Sequence, residues 1–203
     1  MDYLISSIIG YCLGCISSAY FISRSKGFDI RDRGSGNAGA SNVVANMGWK
    51  YGAMTAIFDI LKGFFSVLIA QWLFPETPNA GLVAGMFAVL GHIFPFYLNF
   101  RGGKGFASYI GAMFAFNWKI AAIILVIALA IGLITGYIAL STLTFTTAFT
   151  IYYIVEKLAA VFLVLLIIVE IIIIVKHLAN IKRMLKGEEG KIASVLPKKK
   201  KEA

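Results

Sequence analysis

Residues 120–131 read IAAIILVIALAI, and residues 161–168 read VFLVLLII. Neither run alternates apolar with polar residues, as a strand of a membrane β-barrel does. Within lipid, backbone hydrogen-bonding groups are satisfied only inside a helix or a closed barrel, so both runs predict membrane-spanning α-helices. The composition agrees, since 59% of the 203 residues are hydrophobic and 14% are charged, against about 25% charged in an average soluble domain. We therefore predict an all-α membrane protein.

Seven apolar segments follow from the pattern, at residues 3–23, 51–74, 80–100, 106–116, 120–135, 137–155 and 158–175. The fourth is short, about 16 Å of helix against a hydrocarbon core of about 30 Å. A five-span alternative merges the fourth segment with the fifth and the sixth with the seventh. With the amino terminus outside, sixteen of the nineteen basic residues fall on the cytoplasmic side. The positive-inside rule then predicts a cytoplasmic carboxyl terminus for either count.

The chain is long enough for one domain, predicted at residues 1–185, followed by a basic cytoplasmic tail at 186–203. The basic excess lacks the interleaved aromatic residues of a nucleic-acid surface, so no nucleic-acid partner is expected. Cys12 and Cys15 lie within the first apolar segment without a second ligand pair. They are expected to be free thiols, and no metal site is predicted.

The first polar loop reads RDRGSGNAGASN at residues 31–42. Its Gly-x-Gly-x-x-Gly spacing matches a dinucleotide fingerprint, but that motif works between a strand and a helix, and here a membrane helix precedes it. Glycines ahead of a helix with free amide groups form a nest that suits an anion. A merely flexible loop is the alternative. The candidate phosphate ligands are Ser35, Gly36, Asn37, Ser41 and Asn42.

The second stretch reads GHIFPFYLNFRGGKGFAS at residues 91–108. It is not a Walker A loop, because Gly105 follows Lys104 where Ser or Thr is required. A lysine among glycines at a membrane face still suits a phosphate as a point charge. The candidates are Arg101, Gly102, Gly103, Lys104 and Gly105, while His92 either packs in the core or takes part in catalysis.

The third stretch reads KHLANIKRMLKGEEGK at residues 176–191. His177, Asn180 and Arg183 fall on one side of a helix that leaves the membrane, and together they suit an oxyanion or phosphate. An ordinary amphipathic helix is the alternative, and Glu189 either caps the region or orients a base.

Asp59 and Lys62 are unusual because charges within a membrane segment usually pair or serve a site. Their spacing permits a salt bridge, while a site role is the alternative. A transporter or flippase for a phosphorylated solute is the rival function, in which such charges line a path. No internal repeat supports it, and the motifs gather at one membrane face.

The three stretches resemble the motifs of the bacterial acyl-phosphate:glycerol-3-phosphate acyltransferase family, in order, as GSGNAGASN, GHIFPFYLNFRGGKGFAS and HLANIKRMLKGEE. The resemblance covers nearly the whole chain. It implies a seven-helix enzyme of the bacterial inner membrane, with its active site at the cytoplasmic face. Such an enzyme moves a fatty acyl group from acyl phosphate to the 1-hydroxyl of glycerol 3-phosphate. The products are lysophosphatidic acid and phosphate, in the first acylation step of phospholipid synthesis. The resemblance implies membrane lipid as a partner. It implies no cofactor and no obligatory protein partner.

By the same resemblance, Lys104, His177 and Asn180 are the expected catalytic residues. Lys104 would neutralise the leaving phosphate, and either His177 or the donor's own phosphate oxygen would accept the hydroxyl proton. Two positions depart from the family pattern. Ala45 stands where an arginine is typical, so Arg31, Arg33 or Lys50 is expected to replace that cation, unless this is a weakened or specialised paralogue. Ala139 stands where a serine is typical, although Ser141 and Thr142 follow it.

Overall fold

The computed structural model describes residues 1–191, so most of the predicted basic tail, including its lysines at 198–201, lies outside the described residues. No strand occurs within residues 1–191, and six helical stretches are long and apolar enough to cross a membrane. The all-α membrane fold is therefore confirmed. The α-helices are α1 (Asp2–Cys15), α2 (Ser18–Arg24), α3 (Ala40–Met47), α4 (Trp49–Leu73), α5 (Ala80–Ile93), α6 (Phe106–Thr135), α7 (Ile138–Val155) and α8 (Ala160–Leu185), and short 3-10 helices lie at Ile30–Asp32 and Phe96–Leu98.

Aromatic contacts show in which direction the chain runs through α6 and α7. The rings of Phe106 and Phe145 lie 5.9 Å apart, and so do the rings of Phe116 and Tyr153. Residues 106–116 therefore run in the same direction as α7. The first residue of α7, Ile138, lines the same cavity as Phe106. The chain between residues 117 and 137 must consequently return across the bundle.

The return begins at Asn117, where the backbone inside α6 is non-helical (φ −152°, ψ 80°). The Asn117 side chain accepts a hydrogen bond from the amide of Ile120 at 3.4 Å, as a residue at the start of a new helix does. A straight helix of 30 residues would instead be about 45 Å long and could not bring α7 back beside Phe106. The seven-segment prediction is therefore confirmed, and the five-span alternative does not fit these contacts.

The first apolar segment is broken between α1 and α2, which its sequence did not indicate. Backbone groups freed inside a membrane protein must find other partners. The carbonyl of Ile16 accepts a hydrogen bond from Lys62 Nζ at 2.9 Å, and the carbonyl of Cys15 accepts one from the Tyr97 hydroxyl at 2.8 Å. The amide of Ser17 donates to the same hydroxyl at 3.2 Å. The break is thus stabilised by side chains from two other segments.

Helices α1 and α5 pack backbone against backbone. Gly10 and Gly14 face Ala84 and Ala88, and a Cβ added at either glycine would lie within 2.1 Å of a carbonyl oxygen of α5. Small residues four apart allow this close approach, which drives helix association in lipid where the hydrophobic effect contributes little. The packing fixes the position of α5, which carries His92 at its carboxyl end.

Replacing Gly14 by alanine is expected to destabilise the protein by about 1–3 kcal/mol, despite the better helix propensity of alanine. The new methyl group would lie 2.1 Å from the Ala88 carbonyl oxygen and would force the two helices apart. Reversible unfolding in mixed detergent micelles measures the effect. The control is Cys12→Ala on the exposed face of the same helix, expected to stay within about 0.5 kcal/mol of the parent. Equal stability of the two variants would contradict the close packing.

Candidate active site

Two adjoining cavities, of about 330 and 270 Å³, bring the three polar stretches together. Both cavities are lined by Ser35 and Asn37 from the first stretch, Lys104 from the second, and Asn180 and Arg183 from the third. The convergence that the sequence predicted for these stretches is therefore present. It arises because the first and second stretches follow α2 and α5, while the third is the end of α8.

Nearly all of the other predicted residues also line one of the cavities. The two exceptions are Lys62 and Ser141. Ser141 is buried and adjoins Thr142, which lines the larger cavity. Those in the larger cavity are Ser41, Asn42, Asp59, His92, Gly105, His177 and Glu189; those in the smaller are Gly36, Arg101, Gly102 and Gly103.

Sequence reasoning missed Lys176 and the apolar side of the site. Lys176 lines the smaller cavity together with Arg101, Lys104 and Arg183, so four basic residues surround this cavity and no acidic residue among 1–191 does. Its only sequence signal is that it is the first cation after the last apolar run. Phe106, Ile138 and Ala139 line the larger cavity and give it an apolar wall.

The expected replacement for the missing arginine does not come from the first loop. Ala45 lines the larger cavity, but Arg31, Arg33 and Lys50 line neither cavity. Arg31 pairs with Asp29 at 2.7 Å, and the Arg33 guanidinium lies 3.9 Å from the centre of the Phe28 ring. That expectation was wrong, because contacts within the loop hold Arg31 and Arg33 away from the site, and Lys50 lies on α4 outside both cavities.

Asn42 organises the first loop through its side-chain amide. Its Nδ2 group donates to the carbonyls of Ile30, Arg33 and Asn37, each at 3.0 Å, and its Oδ1 accepts from the Ser35 amide at 3.0 Å. These contacts hold Ser35 at the cavity and leave Asn42 little capacity to bind a ligand directly.

The glycine amides of the second loop are also engaged within the protein. The amides of Gly102 and Gly103 donate to the carbonyls of Ile93 and His92, each at 3.1 Å, and thereby satisfy the end of α5. The free donors at the cavity lie one step further along the chain. Gly105, which has φ +95°, directly precedes α6, and the first turn of α6 lines the larger cavity with amides that have no partner within the helix.

A polar network crosses the floor shared by the two cavities. Lys104 Nζ donates to Asn180 Oδ1, Asn180 Nδ2 donates to Glu189 Oε1 at 2.5 Å, and Arg183 Nε donates to Glu189 Oε2 at 2.7 Å. Burial lowers the pKa of Lys104 below that of an exposed lysine, while the carboxylate of Glu189 partly opposes this shift. In this network the Glu189 carboxylate is held by Asn180 and Arg183, beside the partly buried ammonium of Lys104.

His177 is buried, with 4% of its surface exposed, and lines the larger cavity. Its Nδ1 lies 2.8 Å from the carbonyl of Ile173. Since a carbonyl oxygen can only accept, Nδ1 carries a proton, and in the neutral ring Nε2 keeps the free lone pair. The tautomer is therefore set by the backbone of α8 itself, a partner that the sequence pattern did not reveal.

Asp59 and Lys62 form the salt bridge that their spacing predicted, with Nζ 2.8 Å from Asp59 Oδ1. The same ammonium lies 2.8 Å from His92 Nδ1, so Nδ1 accepts and the ring proton is on Nε2. That Nε2 contacts the second loop, since a Cβ added at Gly103 would lie 2.0 Å from it. The buried charges therefore join the α1–α2 break to the loop that carries Lys104.

Residues 4–187 match the glycerol-3-phosphate acyltransferase family model. The chain is 36% identical to glycerol-3-phosphate acyltransferase 1 of Oceanobacillus iheyensis over 98% of this chain and 99% of that one. It is 40% identical to the glycerol-3-phosphate acyltransferase of Clostridioides difficile over 94% of this chain and 96% of that one. The family resemblance of the three motifs is thereby confirmed.

Solved structures agree with the sequence relatives. The glycerol 3-phosphate form of PlsY (YgiH), an integral membrane glycerol 3-phosphate acyltransferase, superimposes with a TM-score of 0.86 at 35% identity, over 95% of this chain and 96% of that one. The lysophosphatidic acid form gives a TM-score of 0.82 at 34% identity, over 94% and 95%. This chain therefore belongs to the glycerol-3-phosphate acyltransferase family of integral membrane proteins.

Proposed function

We propose that this protein transfers a fatty acyl group from acyl phosphate to the 1-hydroxyl of glycerol 3-phosphate. The products are lysophosphatidic acid and inorganic phosphate. One observation carries the proposal: two adjoining cavities share Lys104, Asn180 and Arg183, and every charged residue that the described part of the chain contributes to the smaller cavity is basic. Both proposed substrates carry a phosphate, so two neighbouring sites for anions suit the pair. The charge asymmetry of the loops favours a cytoplasmic site in a bacterial inner membrane.

Acyl phosphate is a mixed anhydride with a good leaving group, so the protein must mainly supply placement and charge. The glycerol oxygen attacks the acyl carbon, an ester bond forms, and the bond between the acyl carbon and the phosphate oxygen breaks. Lys104 lies where it can neutralise the departing phosphate, and the first turn of α6 adds amide donors. The apolar wall at Phe106, Ile138 and Ala139 suits the beginning of the acyl chain.

The hydroxyl proton goes, in this proposal, to an oxygen of the donor's phosphate. His177 Nε2 is available as an acceptor, but a protonated ring would be a second buried cation near Lys104. The described residues place no carboxylate in hydrogen-bond contact with that ring. His177 therefore positions the hydroxyl by accepting a hydrogen bond.

His177→Ala is accordingly expected to lower kcat by less than about 100-fold, because a full general base contributes typically 10²–10⁴-fold. Steady-state kinetics with both substrates measure kcat and KM separately. His177→Gln, which keeps a polar side chain, should retain more activity than His177→Ala. Abolished turnover with unchanged KM values would instead assign the proton transfer to His177.

The reaction itself is tested with purified protein in detergent, palmitoyl phosphate and glycerol 3-phosphate. We expect equal amounts of lysophosphatidic acid and phosphate, formed only when both substrates are present. Phosphate release at the same rate without glycerol 3-phosphate would contradict acyl transfer. Uptake of glycerol 3-phosphate into liposomes without any product would favour the transporter alternative. That alternative gains little from Asp59 and Lys62, since these charges neutralise each other.

A further inference from the structure

The short segment after α8, residues 187–190, folds back over the site. Gly187 has φ +72°, a left-handed conformation that reverses the chain, and the amide of Glu188 donates to the carbonyl of Arg183 at 2.8 Å. The reversal places Glu189 in the larger cavity, with 12% of its side chain exposed, while Glu188 stays exposed outside it. We name residues 187–190 the strap.

The carboxylate of Glu189 is held at both oxygens. Oε1 accepts from Asn180 at 2.5 Å and Oε2 accepts from Arg183 at 2.7 Å, and the side chain of Asn180 also accepts from Lys104. Donors arranged to grasp two oxygens of a carboxylate also fit two oxygens of a phosphate. All three donors line both cavities: Asn180 and Arg183, which hold Glu189, and Lys104, which contacts Asn180.

A phosphate group and the Glu189 carboxylate cannot both use these donors. Each oxygen of the carboxylate already accepts a hydrogen bond from one of the donors. A phosphate bound to the same donors would lie beside the carboxylate, and two neighbouring anions in a partly buried site repel each other. Without any anion, however, the partly buried ammonium of Lys104 would lose a nearby counter-charge, and Asn180 and Arg183 would lose the oxygens to which they donate. An anion supplied by the chain itself can pair with these donors when no ligand is bound and can move away when a phosphate enters.

We infer that Glu189 is a tethered substitute for the substrate phosphate. In the ligand-free protein it accepts a hydrogen bond from Asn180 and offsets the charges of Arg183 and Lys104. A phosphate group that enters the shared floor displaces it and releases the strap. The strap therefore sets how tightly a phosphate is held and favours its release after reaction. This inference rests on the proposed function only in taking a phosphate group as the ligand of that floor.

The test uses Glu189→Gln, which removes the charge and keeps the shape, and inorganic phosphate as the probe. Isothermal titration of the purified protein in detergent at constant ionic strength should show phosphate binding about tenfold more tightly or better, because a charge-assisted contact no longer has to be broken. Glu188→Gln is the matched control, since it removes the same charge one residue away at an exposed position. It should change the affinity less than about twofold.

Hydrogen–deuterium exchange of the wild-type protein supplies the second measurement and needs no substitution. Added phosphate should speed amide exchange in residues 187–191, and in Glu189→Gln that exchange should be fast from the start. Slower exchange with phosphate, or weaker binding by Glu189→Gln, would show that Glu189 orients the cations instead and would overturn the inference. Equal phosphate affinity in the wild type, Glu189→Gln and Glu188→Gln would overturn this inference and leave the proposed function standing. Absence of phosphate binding from all three would overturn the proposed anion site as well.

Discussion

Replacing Lys104 by methionine is expected to lower kcat about 10²–10³-fold, the usual effect of removing one preorganised group that stabilises developing negative charge. Lys104 is the lysine that lines both cavities, and it contacts Asn180 in the floor between them. Methionine keeps the length of the side chain and most of its packing. The loss should therefore be in turnover and in phosphate affinity, with the fold retained.

The control for Lys104 is Lys182→Met, which removes a lysine from an exposed position of α8 that lines neither cavity. Its kcat should stay within about twofold of the parent, as expected for a surface charge. A comparable loss in both variants, or activity retained by Lys104→Met, would remove Lys104 from the mechanism.

The pH dependence of phosphate binding gives an independent check on the same residue. Burial lowers the pKa of Lys104, so the ammonium loses its proton at a lower pH than an exposed lysine does. Phosphate affinity should therefore fall as the pH rises through that lowered pKa, and the fall should be absent from Lys104→Met. A parallel fall in both proteins would assign the titration to another group.

The second large effect is expected for Lys62→Met, which should destabilise the protein by about 3–5 kcal/mol, because it leaves a buried charge without its partner. Asp59 is 2% exposed and pairs with Lys62 at 2.8 Å. The substitution also removes the donors to the Ile16 carbonyl and to His92. Unfolding in mixed micelles measures the loss.

A double variant separates the charge from the packing. Asp59→Asn together with Lys62→Met removes the uncompensated carboxylate, and it should recover at least about half of the stability that Lys62→Met loses, since buried pairs replaced as a whole are often tolerated. A double variant less stable than Lys62→Met alone would contradict this account. Loss of activity in the folded double variant would in turn show that the network positions the second loop.

The apolar runs predicted the spans, because hydropathy along the chain reports directly which residues can contact lipid. The same reasoning predicted the Asn117 turn, where a short polar interruption separates two apolar segments. It missed the break at Ile16 and Ser17, because neither position is a glycine or a proline. That break depends on Lys62 and Tyr97, which lie far away in the sequence.

The site was predicted in outline, and its details depend on how the helices pack. The motif residues converge as expected, but the amides of Gly102 and Gly103 serve the end of α5 rather than a ligand. Arg31 and Arg33 are held by neighbours within their own loop, whereas Lys176 reaches the smaller cavity. A linear pattern identifies which residues are polar, but the packing decides which of their groups stay free.

The central claim is that acyl phosphate is the acyl donor, and the most direct test identifies the donor from which the acyl group is transferred. Purified protein would receive glycerol 3-phosphate with two donors at once, palmitoyl phosphate and palmitoyl-coenzyme A, whose chains carry different isotopes. Mass spectrometry of the lysophosphatidic acid then reports the donor. We expect the product to carry the chain of palmitoyl phosphate alone, because the basic site suits a phosphate leaving group. A product that carries the chain of the thioester would contradict the account.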